Sequence, residues 1–161
     1  MAKIKGPGIL NQWSCHLPGC SARYQDFFKY VIEEFDKKQI PDMQSYWEKV
    51  GSTFGPKKDF WAVDFEDYTS YIAAEVMGND LWVCWLIYAP EWSKEILKNN
   101  LATKSTFWSM FGSDIGDLNE MSCFAAVIKD CAEEAAQRIA VGENIDKNKI
   151  TRASSGVMGP I

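Results

Sequence analysis

Phe60-Trp61-Ala62-Val63-Asp64-Phe65 is followed by two more apolar runs, Thr69 to Val76 and Leu81 to Tyr88, with Glu66-Asp67 and Gly78-Asn79-Asp80 between them. Short segments rich in β-branched and aromatic residues, separated by turn residues, predict an antiparallel meander over residues 59–89. A two-residue loop at Gly78-Asn79 needs positive φ, which glycine adopts without strain. That loop sets Val76 opposite Leu81, Ala74 opposite Val83 and Ile72 opposite Trp85. A first turn at Glu66-Asp67 sets Trp61 opposite Ile72.

Period-2 alternation then gathers Trp61, Val63, Phe65, Ile72, Ala74, Val76, Leu81, Val83, Trp85 and Ile87 on one face. That face has no polar side chain, so helices are expected to cover it. The other face carries Phe60, Ala62, Asp64, Tyr71, Ala73, Glu75, Trp82, Cys84, Leu86 and Tyr88. It is aromatic and interrupted by two carboxylates.

Working outward, Ser21 is the expected N-cap of a helix from Ala22 to about Gln39. Its stripe of Tyr24, Phe27, Phe28, Val31, Ile32 and Phe35 repeats at helical spacing. Pro41 ends it, and Asp42 is expected to cap a second, short helix through Met43, Tyr46, Trp47 and Val50. Pro90 predicts a helix over 91–99, and Ser105 a short one to Phe111. The last long helix is expected over 117–141, on Leu118, Met121, Ala125, Ile128, Ala132, Ala135 and Ile139, with Gly142 as its stop. Residues 1–20, broken by Gly6-Pro7-Gly8 and Leu17-Pro18-Gly19 around the short apolar piece Ile9 to Trp13, read as an irregular arm with room for an edge strand, and 142–161 as a tail. The expected fold is thus α+β: one domain over 21–141, with three or more antiparallel strands and long N-terminal and C-terminal helices on one sheet face.

With 161 residues, 47% hydrophobic, the chain is long enough for one buried core and too apolar for disorder. The net charge of −5 and scattered basic residues offer no stripe for a phosphate backbone, so nucleic acid is not an expected partner. No apolar run approaches the ~20 residues of a membrane helix, and no apolar signal segment follows the first lysines. The five cysteines are an odd number and read as reduced thiols, which with the soluble composition predicts a cytoplasmic protein.

The residues with chemical potential do not assemble into a motif. Cys15-His16 with Cys20 has metal-ligand residue types, but a second close pair is missing and His16 is the sole histidine. Cysteine catalysis lacks a base that the sequence places near Cys84, Cys123 or Cys131. Asp64 and Glu75 share a face but sit near opposite turns, too far apart for a shared-proton dyad. Gly112-Ser113-Asp114-Ile115-Gly116 lacks the lysine of a phosphate loop. No catalytic residue, metal or cofactor is therefore expected.

The surplus of aromatics is the remaining signal. Trp13, Trp47, Trp92 and Trp108 read as lying outside the sheet core, and tryptophan is enriched at interfaces. The expected function is a non-enzymatic protein-interaction module, self-associating as a homodimer or serving as a partner-binding subunit. Its contacts are expected at Tyr71, Glu75, Trp82, Tyr88, Trp92 and Trp108. The alternative is a small-molecule domain, with an aromatic pocket between the second sheet face and residues 91–111.

Overall fold

The computed structural model describes residues 9–51, 57–65, 68–88 and 115–156. Six strands form one sheet: β1 (Ile9–Leu17), β2 (Gln44–Val50), β3 (Lys58–Phe65), β4 (Tyr68–Met77), β5 (Asp80–Tyr88) and β6 (Thr151–Gly156). The spatial order is β2-β3-β4-β5-β1-β6, and every neighbouring pair is antiparallel. Among the described residues two α-helices accompany it, α1 (Tyr24–Lys38) and α2 (Ile115–Gly142).

The meander has the register that its turn residues predict. Val76 faces Leu81, Ala74 faces Val83, Ile72 faces Trp85 and Trp61 faces Ile72. Gly78 sits at φ +64°, the conformation that closes the two-residue loop. Trp61, Val63, Ile72, Leu81, Val83, Trp85 and Ile87 are buried against Phe27, Phe28, Val31, Phe124, Ile128 and Cys131 of the two helices. Near the hairpin tip the same face runs out of cover, and Val76 is exposed. Inside the core, the Trp85 indole N–H donates to the Ser70 hydroxyl at 2.9 Å, so these two buried polar groups satisfy each other.

The expectation of terminal helices is corrected. β1 precedes α1 and β6 follows α2, so both helices are internal connections. β1 occupies much of the stretch read as an irregular arm, and lies between β5 and β6. Asn11, Trp13, Cys15 and Leu17 point into the core while Gln12, Ser14 and His16 alternate with them on the other side. Trp13 is accordingly a core residue, contrary to the expectation for it. The tail read at 142–161 contains β6, a strand of polar residues paired with β1. The segment read as a second short helix is β2, with unbroken pairing to β3. The helices expected over 91–99 and 105–111 lie outside the described residues, as does the turn at Glu66-Asp67.

The ends of the helices follow local chemistry. Three residues of 3-10 helix, Ser21–Arg23, lead into α1, and no side chain caps it, so Ser21 is not the N-cap. Gln39 in the left-handed region closes it, its N–H donating to Asp36 O. α2 runs to Gly142, and the reversal comes at Asn144, with φ +51°. Ile145 N–H donates to Ala140 O at 2.9 Å and Asn144 N–H to Val141 O at 3.2 Å, the paired bonds of a Schellman motif. Arg138 on α2 reaches Glu33 at 2.9 Å and Glu34 at 3.2 Å and lies over the Tyr30 ring, joining the two helices on their wet side.

Burial also sets the state of the thiols. It pushes the Cys131 thiol up to about 12 and raises Cys15, Cys20 and Cys84 as well, while Cys123 is exposed on α2. One rapidly reacting thiol of the five is therefore expected at neutral pH, the others reacting only on unfolding. Timed modification with an aromatic disulfide reagent checks this; rapid reaction of Cys15, Cys20 or Cys131 in the folded protein would contradict the packing.

Candidate functional site

The sheet has one covered face and one that carries the expected contact residues. Tyr71, Glu75, Trp82 and Tyr88 all project from the second face, on β4 and β5. Glu75 stands directly opposite Trp82, but the four do not converge on one point. Trp82 and Tyr88 are six residues apart on one strand, roughly 20 Å, and Tyr71, Glu75 and Trp82 already have their own surroundings. Tyr71 is buried, its ring edge-on to Phe60 at 6.0 Å and its hydroxyl donating to Glu48 Oε2 at 3.0 Å. Glu75 pairs with Lys58 across the sheet. Trp92 and Trp108 lie outside the described residues, as does the segment expected to close an aromatic pocket.

Trp82 belongs to a cluster that the sequence reading did not assemble. Its ring stacks on His16 with centroids 4.3 Å apart and planes 18° from parallel. His16 Nε2 lies 2.9 Å from Asp80 Oδ2, and Gly19 N–H donates to Asp80 Oδ1 at 2.8 Å. The Gly19 amide, followed by His16, holds the Asp80 carboxyl below the usual carboxylate range. Ser21 N–H donates to Asn79 O at 3.0 Å, so the β1–α1 turn is tied to the β4–β5 hairpin. Cys84 lies next along this face, opposite Ser14, but burial raises its thiol and disfavours the thiolate that nucleophilic chemistry requires. Cys15 points to the opposite side of β1 from His16. Among the described residues no group of three or more His, Cys, Asp or Glu side chains is placed to hold a metal ion.

Asp64, the second carboxylate of this face, accepts from Thr69 Oγ1 at 2.7 Å and from Tyr46 Oη at 3.1 Å. Removal from water and then the Asp64 carboxylate push Tyr46 up to about 12; burial and Glu48 raise Tyr71 too. A phenol whose folded pKa is raised contributes stability that is complete below the unfolded value of ~10 and is lost as pH rises through the folded value. Burial, then Asp59 and Glu75, raises Tyr24 as well, so alkaline titration should show these three of the six tyrosines ionising late, together with loss of the fold. Parallel tyrosinate absorbance and circular dichroism test this, and all tyrosines ionising near ~10 in an intact fold would contradict it.

Among the described residues, two recesses open at the surface. One, of about 200 Å³, lies on the second face between β5, β1 and β6, lined by Gln12, Ser14, Cys84, Leu86, Ala153 and Ser155. The other, of about 320 Å³, lies on the helix side at the sheet edge, lined by Tyr24, Gln25, Phe28, Trp47, Lys49 and Asp59. Neither is the pocket expected from Tyr71, Glu75, Trp82 and Tyr88.

The second recess adjoins the most exposed aromatic residue of the described sheet. Trp47 is 52% exposed, against 40% for Trp82 on β5 and 38% for Tyr46, which stands beside it on β2 and faces the other side. Among the described residues β2 has a strand on one side only. The outward N–H and C=O groups of such an edge are a template for another strand, and proteins usually blunt them with proline, bulges or charge. β2 pairs with β3 without interruption from Gln44 to Val50, contains no proline, and has one lysine, Lys49, drawn to Asp59 at 3.6 Å. Trp47 packs edge-on to Phe28 at 4.8 Å, which leaves much of the indole uncovered.

Comparison with known proteins gives no assignment: no protein-family profile, curated protein or solved structure matches the chain. No helix among the described residues is long and apolar enough to cross a membrane.

Proposed function

We propose that this protein is a non-enzymatic protein-interaction module that engages its partner by strand addition at β2. The observation that carries the proposal is a regular edge strand of seven residues bearing an indole that is 52% exposed beside a recess that mixes Tyr24 and Phe28 with Gln25, Lys49 and Asp59. Main-chain hydrogen bonds to the edge would supply affinity. Alternate side chains of the incoming strand would fall on the helix side, next to Trp47, Tyr24 and Phe28, and supply selectivity. The acid–base candidates favour no reaction, since Asp64 and Glu75 are each engaged by separate neighbours.

Extended peptides selected from a displayed library, titrated into isotopically labelled protein, test this reading. Binders are expected to shift the resonances of 44–50 and of Tyr24 and Phe28, and to be lost in Trp47→Lys, which puts a charge in place of the indole. Binders that leave β2 unmoved, or that bind Trp47→Lys equally well, would overturn it.

A further inference from the structure

We infer that the strand added at β2 is β2 of a second copy, paired antiparallel about a two-fold axis through Trp47; this rests on the strand-addition reading. Antiparallel strands of one sheet related by a two-fold require the axis perpendicular to the sheet. Both helix layers then lie on the same side, and residues of one face meet residues of the same face.

Three centred registers are available near the middle of the strand, and they differ sharply. Centring on Glu48 sets like carboxylates directly opposite each other, which is destabilising. It also leaves Gln44 and Ser45 beyond the end of the partner strand. Centring on Tyr46 similarly leaves Lys49 and Val50 unmatched. Centring on Trp47, the midpoint of Gln44–Val50, uses all seven residues of the strand. It then sets Ser45 opposite Lys49 and Tyr46 opposite Glu48, so no charge meets its like.

The remaining observations agree with that register. Glu48 and Lys49 are the only charged residues of β2, so the strand is neutral in a chain of net charge −5 and two copies can approach there with little repulsion. Trp47 would meet the partner's Trp47 on the helix side, beside the recess formed by Tyr24 and Phe28. Two half-exposed indoles would be removed from water at the centre of the contact, where interface energy concentrates. The other edge, β6, is a polar, exposed strand, Thr151 to Ser155, and offers no such anchor.

Light scattering coupled to size exclusion, followed by cysteine cross-linking, tests the inference. All cross-linking variants carry Cys123→Ser, which removes the exposed native thiol. Wild type is expected at twice 18.3 kDa and Trp47→Lys at 18.3 kDa, with an unchanged circular dichroism spectrum. Ser45→Cys and Lys49→Cys, which keep the indole, should each fail to cross-link alone and should form a disulfide dimer when mixed. A wild type that stays monomeric at all concentrations, or a dimer in which mixed Ser45→Cys and Lys49→Cys do not cross-link, overturns the second copy as occupant. The strand-addition reading fails separately, if the selected peptides leave residues 44–50 unmoved.

Discussion

Trp85→Ala is expected to lower the free energy of unfolding by about 3–5 kcal/mol, the largest effect of any single truncation in this sheet. Trp85 stands opposite Ile72 on β4 and opposite Trp13 on β1, so its indole is surrounded by both neighbouring strands and covered by the helices. It is among the largest side chains wholly removed from water. Truncation leaves a cavity that a strand held on both sides cannot close. Its polar atom adds a second loss, which can be separated. Ser70→Ala leaves the indole N–H buried with no acceptor, at a cost of about 1–3 kcal/mol. Trp85→Phe with Ser70→Ala removes both partners and should cost less than the two single changes added together. Urea denaturation of the four proteins measures the coupling, and strict additivity would mean that the bond contributes nothing.

Ala135→Leu is the second large effect, a loss of about 1–3 kcal/mol from overpacking. Ala125, Ala132, Ala135, Ala136 and Ala140 are all buried in α2, which packs on α1 and on the sheet at once. A helix approached from both sides has no free volume for three additional carbons, so backbone or rotamers must shift. Val141→Ala on the same helix removes a side chain that is already exposed and should lie within about 0.5 kcal/mol of wild type. If Ala135→Leu were stabilising instead, α2 would have to stand further from its neighbours than the structure has it.

The parts of this fold that were legible in the sequence are those where burial forces a pattern. The meander strands alternate because one face meets the helices, and Gly78 fixes the hairpin register. The stripes of α1 and α2 are equally plain, since each buries one side. β2 reads as a helix in the sequence because an edge strand with little burial is under no such constraint. Met43, Tyr46, Trp47 and Val50 happen to recur at helical spacing, and nothing apolar on either face argued for a strand. β6 has no hydrophobic signal at all, and what holds it is backbone pairing to β1.

β1 was hidden differently. Its breakers, Gly6 to Gly8 and Pro18-Gly19, suggested a short piece, although Trp13, Cys15 and Leu17 alternate with Gln12, Ser14 and His16 as a half-buried strand should. Reading that alternation would have separated Cys15 from His16 and moved Trp13 into the core. The contact of His16 with Asp80 and Trp82 depends on which strand pairs with β1, a long-range fact that local pattern does not contain. The same holds for Trp47: the sequence marks it as a tryptophan outside the meander, and only the topology puts it at the middle of a strand that, among the described residues, is paired on one side.

Amide hydrogen exchange across β2, followed as protein concentration rises, tests the central claim most directly. Strand addition at this edge predicts that alternate amides of 44–50 become protected as the protein associates, while the outward amides of β6 do not. It also predicts that Trp47→Lys abolishes this protection without loosening β3 or β4. Amides of β2 that exchange at one unprotected rate at every concentration, and remain so with selected peptides present, would contradict the account.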